Sequence, residues 1–182
     1  VIVLGKRLGW PRMPMRPHNL TMVMLGAGLL WFGWFGFNAG SAYAADGVAA
    51  LAATNTLVAT CGGGLAWLLV ERLRDGHATS LGAASGIVAG LVAITPACAN
   101  VTPLVAVLIG AVAGVLCALA VTLKYRLGYD DSFDVVGVHL VGGLVGTLML
   151  GFVATDVFGD GASVGLFAGG GFSLLAVQAI AA

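Results

Sequence analysis
Six apolar runs, each close to the ~20 residues that a helix needs to cross a bilayer, leave this chain few choices of fold. They fall near Leu20 to Ala42, Val48 to Val70, Leu81 to Cys98, Pro103 to Leu123, Phe133 to Thr155 and Ala162 to Ala182. Backbone amides in hydrocarbon find no water, so such runs predict helices that satisfy their own hydrogen bonds. Of 182 residues, 59% are hydrophobic, 9% charged and 29 are glycine, which is too little charge to cover a soluble globule. The expected fold is all-α, a polytopic transmembrane helix bundle forming one membrane domain over residues 1–182.

Positive charge orients the bundle. Lys6, Arg7, Arg12 and Arg16 precede the first full run, Arg72 and Arg74 follow the second, and Lys124 and Arg126 follow the fourth. All eight fall in alternate loops, which the positive-inside rule assigns to the cytoplasm, as expected of a multi-pass protein of the inner (plasma) membrane. The segments around Tyr43 to Gly47, Ala99 to Thr102 and Asp156 to Gly161 are then external. Eight acidic residues balance the eight basic ones, so nucleic acid is excluded as an expected partner and the lipid bilayer takes its place. Lys6 and Arg7 follow the apolar Val1 to Gly5 instead of preceding an apolar core, so no signal peptide is expected. VIVLG reads as the end of an earlier span, and the chain as a fragment of a longer membrane protein.

Glycine recurs every four residues at Gly82, Gly86 and Gly90, at Gly36 and Gly40, at Gly110 and Gly114, at Gly142 and Gly146, and at Gly161, Gly165 and Gly169. Such faces let helix backbones approach closely in lipid. Cys61, Cys98 and Cys117 stand in apolar sequence without metal-ligand spacing and read as small core residues. No hydrolytic triad, zinc pattern or phosphate loop is present, so neither an enzyme nor a metal or cofactor site is expected.

Polar groups inside the runs are the candidates for chemistry. His139 lies in VVGVHLVGGLVGTLMLGFV, five residues past Asp134, too far along the helix to act as its cap. An ionisable ring at such a position is costly and marks a pathway for an ion, a proton or a polar substrate, against the alternative of a structural bond to a neighbouring helix. One imidazole nitrogen donates while the other accepts. Asp130, Asp131, Ser132 and Asp134 precede it and are read as helix caps. In WFGWFGFNAGS, Phe37 and Ser41 share a helical face beside Asn38, and an aromatic face with a hydroxyl suits a small cation. The other aromatics there are open to an interfacial reading. Asn55 reads as an interhelical hydrogen-bonding group, Pro96 as a helix end, and His18 and His77 as solvated loop residues.

WFGFNAGS (34–41), GLVAITPACANV (90–101) and LGYDDSFDVVGVHLVGG (127–143) resemble, in order and spacing, successive signatures of the ammonium transporter family (Amt/Mep/Rh), bacterial Amt branch. Ala99 and Asn100 depart from the common pattern, in an external turn. The resemblance implies an eleven-helix fold built on inverted repeats around a pore, with this chain holding the second repeat. It further implies that Phe37 is a gating phenylalanine, Ser41 part of an external ammonium site, and His139 the second of two pore histidines, with Asn38 on the same pathway. Asp131 and Asp134 would support or gate it. Ammonium transport follows as the expected function, with a homotrimeric assembly and a PII-type signal protein docking on the cytoplasmic face. The alternative is an ammonium sensor built on the same membrane fold.

Overall fold
The computed structural model describes residues 3–13 and 15–182. Val1 and Ile2, the start of the run read as an earlier span, lie outside the described residues. Among those residues there are helices and turns and no strand. Five helices are long and apolar enough to cross a membrane.

Local chemistry sets the helix ends. The Asn19 side chain accepts from Met22 N–H and starts α1 (Leu20–Asn38), which passes into a 3-10 turn, Gly40–Ala42. Asp46 caps α2 (Gly47–Asp75) by accepting from Ala49 N–H, and Gly76, left-handed at φ 81°, ends it. Thr79 caps α3 (Ser80–Ile94), which tightens into a 3-10 turn at Thr95–Ala97 where Pro96 stands. Pro103 opens α4 (Pro103–Ala120), and the short α5 (Leu123–Leu127) extends it. A π-helical turn at Val136–Leu140 then leads into α6 (Val141–Val153).

The segment Ala162–Ala182 departs from the expectation of one helix over the whole run: a 3-10 turn, Leu166–Ala168, comes before α7 (Ser173–Ala181). The reason is glycine. Gly169 and Gly171 take left-handed conformations at φ 93° and 69°, interrupting a run whose hydrophobicity alone suggested a helix.

α2 is the centre of the bundle, packed between α3 and α4 through small residues. A methyl group on Gly110 of α4 would overlap the Ala59 carbonyl of α2, and one on Gly63 would come within 2.7 Å of the Gly86 carbonyl of α3. α6 joins through Gly146, whose added methyl would overlap the Ala93 carbonyl. Backbones this close exchange dispersion and weak Cα–H bonds that lipid cannot supply. The expected packing role does not extend to Gly36, Gly40, Gly161 or Gly169, which meet nothing within 4 Å. Cys117 is buried, whereas Cys61 is exposed and so is no core residue.

Loops that carry basic residues meet one another on one face. Arg7 donates from its backbone N–H and its guanidinium to Asp130, at 2.9 and 3.0 Å, and Trp10 stacks on Tyr125. On the opposite face the Thr155 N–H reaches the Asn100 carbonyl at 2.8 Å. Asn55 donates to the Cys98 and Val101 carbonyls there, so it ties a turn as well as two helices. His18 and His77 are exposed in the basic-face loops.

The Asp156 carboxylate accepts from the N–H groups of Gly159, Asp160 and Gly161 at 2.8 to 3.1 Å. These bonds, that of Gly161 foremost, hold its pKa below the ordinary carboxylate value. A depressed carboxylate stabilises its turn above the unfolded pKa and loses that contribution as pH falls through the folded one. Amide exchange at Gly161, corrected for intrinsic rates, is expected to be protected at neutral pH and to lose protection only below about pH 4. Protection that already falls above the ordinary titration range of a free aspartate, about pH 4, counts against this.

Candidate substrate pathway
α1 stands at the edge of the bundle: 6% of its apolar window is buried, against 44% for α2 and 50% for α3. Between α1, α3 and the start of α6 lies a groove with a cavity of about 240 Å³, and His139 lines it together with Val23, Ala27 and Leu30 of α1 and Ala84, Ser85 and Val88 of α3. A second hollow of about 410 Å³ is lined by Leu30, Gly33, Trp34 and Phe37. Leu30 belongs to both, so the two follow one face of α1. Phe37 lies two turns beyond Leu30, about 10 Å along the axis.

The aromatic end of this groove is fixed by a hydrogen bond. Trp34 Nε1–H donates to Thr95 Oγ1 at 2.9 Å, and Thr95 in turn donates to the Leu91 carbonyl. The anchored indole then meets the Phe37 ring edge-on, centroids 5.5 Å apart at 66°. Such edge contacts orient rings. Ser41, in the 3-10 turn beyond, donates from Oγ to the Phe37 carbonyl at 2.5 Å, so the structure brings Ser41 and Phe37 together.

Asn38 is placed otherwise than expected. It is buried, and its Nδ2–H donates to Thr56 of α2 at 2.9 Å, one residue around α1 from the groove-facing Phe37. An amide held in a helix–helix contact is not open to a passing solute. The acidic cluster also divides its labour instead of capping together. Asp131 alone caps the helix, accepting from Val135, Val136 and Gly137 N–H at 3.0, 2.7 and 3.4 Å. Asp130 pairs with Arg7, while Asp134, itself left-handed at φ 55°, pairs with Lys124 at 2.5 Å.

One groove residue escaped the sequence reading: Ser85 brings a hydroxyl to the wall shared with His139. Thr95, a weaker signal beside Pro96 in the sequence, anchors the indole. Ser85 sits in SLGAASGIVAG as one more small residue of a packing stripe, and only the placement of α1 opposite it gives it a groove.

Five helices of spanning length among the described residues, packed side by side, define a multi-pass α-helical membrane protein. The Ammonium Transporter Family model matches residues 1–182, and the chain belongs to that family. It is 63% identical over 186 residues to an ammonium transporter of Mycobacterium tuberculosis, covering 100% of this chain and 39% of that relative. An ammonium transporter of Bacillus subtilis is 47% identical, over 92% of this chain and 41% of its own length. Among solved structures, Candida albicans Mep2 superposes with a TM-score of 0.88 at 35% identity, over 99% of this chain and 42% of that one. A sensor Amt protein gives 0.77 at 32% identity, over 90% and 40%. The chain thus spans about two fifths of the length of the relatives it matches.

Proposed function
We propose that this chain supplies one wall of a path for ammonium, and that the whole protein carrying it is an ammonium transporter. The observation that carries this reading is the placement of His139 in an apolar groove that continues along α1, through Leu30, to the edge-on Trp34 and Phe37 pair. Ammonium is drawn externally to an aromatic face near the Ser41 hydroxyl by cation–π attraction and hydrogen bonding. Passing Phe37 strips its water. Beyond, the groove offers an ion almost nothing, so ammonium gives up a proton to the accepting ring nitrogen of His139 and continues as ammonia. Potassium has no proton to lose and no hydrogen bond to give, which makes the same stretch selective. The proton travels separately or along the histidines.

In this reading Asp131 and Asp134 hold the helix that carries His139, through its N–H groups and through Lys124. Each subunit of a homotrimer has its own path. The loops around Arg72 to Ala78 and Lys124 to Asp131 lie on the face where a PII-type protein would dock.

Methylammonium uptake into proteoliposomes containing the whole protein tests the reading. Saturable uptake, inhibited by ammonium and indifferent to potassium, is expected. Ammonium binding without flux would instead support a sensor, the reading favoured by the likeness to the sensor Amt protein.

A further inference from the structure
His139 faces the groove and not the seam between helices, and the cause is one residue of helical register. α6 packs on its neighbours through Gly142 and Gly146. In an uninterrupted α-helix the residues three and four before Gly142 are His139 and Val138, and both would share its face. A π turn closes its hydrogen bond one residue further on, which moves the shared face back to Val138 and Gly137. The structure has that turn, with the Val141 N–H reaching the Val136 carbonyl five residues earlier. Burial follows the shifted pattern: Gly137 and Val138 are buried, Val138 reaching the groove only at its edge, and His139 is exposed to the groove.

Contacts from below hold the wider turn. A Cβ on Gly137 would stand 2.9 Å from the Val121 Cα, so the backbone is seated directly on the end of α4. The Cys117 thiol, with no exposed surface, donates to the Val138 carbonyl at 3.6 Å. The thiol also neighbours the missing Cβ of Gly142, at 3.6 Å, so it sits where the π turn rejoins the α-helix.

We propose that the π turn Val136–Leu140, held by the Cys117 thiol beneath the Val138 carbonyl, is the element that turns His139 out of the helix seam and into the groove. Cys117 is then a positioning residue. Its effect on transport rests on the reading of His139 as a pathway residue, whereas its bond and the register do not. Two measurements on the whole protein separate the claims. With Cys117 as the only cysteine, the infrared S–H stretch is expected at the position of a hydrogen-bonded thiol. Methylammonium flux per folded molecule is expected to fall about threefold to tenfold in Cys117→Val, the effect of losing one modest hydrogen bond. Cys117→Ser keeps a donor and should recover most of the flux. Deleting Val136, which removes the extra residue, should reduce flux as far as His139→Ala does. A free-thiol band, or wild-type flux in Cys117→Val, overturns the proposal even if the deletion variant fails to fold. If His139→Ala itself transports normally, the pathway reading falls, and the S–H band still decides the register.

Discussion

His139→Ala in the whole protein is expected to lower methylammonium flux by about a hundredfold or more, the range spanned by losing a positioned proton-handling group. The fold should survive. The seam at this level is made by Gly137 and Val138, and the exposed imidazole lines the groove. Truncating it therefore removes chemistry from the groove wall and leaves the packing of α6 in place. Initial uptake rates in proteoliposomes, normalised to protein that elutes as a single folded species, give the measurement. Undiminished flux would return His139 to the structural role open to any histidine in a membrane helix. Loss of the folded species would do the same by another route.

The second large effect concerns assembly. Gly110→Ala is expected to destabilise the protein by about 2 kcal/mol or more, because an added methyl overlaps the Ala59 carbonyl, which belongs to a packed helix and cannot move aside. Gly64→Ala makes the informative comparison. That glycine is also buried in the bundle, yet its added methyl would meet Ile87 at 3.7 Å, an ordinary contact. Helix propensity favours alanine at both positions by roughly 0.5–1 kcal/mol, so Gly64→Ala should be neutral or slightly stabilising while Gly110→Ala is not. Thermal unfolding in detergent reads the difference. Equal midpoints for the two variants would show that α2 and α4 are not held at backbone contact.

Much of this architecture can be read along the chain because the controlling terms are local. Pro96 and Pro103 mark the turn between α3 and α4, and the apolar runs from Leu20 to Leu123 coincide with helices. The resemblance carried by WFGFNAGS and DDSFDVVGVHLVGG agrees with the family match over residues 1–182. What escaped depends on direction. Phe37 and Asn38 are adjacent in sequence and about 100° apart on a helix, so whether each meets the groove or α2 is set by where α2 lies. Ala162–Ala182 misleads for another reason: apolar content measures the preference for lipid and omits the backbone cost of Gly169 to Gly171. The π turn is invisible because an extra residue in a helix leaves composition untouched.

The ion pair between Arg7 and Asp130 joins residues 123 apart in sequence. Between them run α1 to α4, each with a loop at either end of its crossing. The bond therefore closes a ring whose circumference is four traverses of the bundle. No partial insertion can form it, since a chain with one helix left out presents Asp130 to the wrong face. Asp130 is buried even so, its carboxylate depending on a guanidinium four crossings earlier in the sequence. During synthesis the Arg7 guanidinium comes first and meets this carboxylate only after four traverses have been made, so their pairing records that those four crossings are in place.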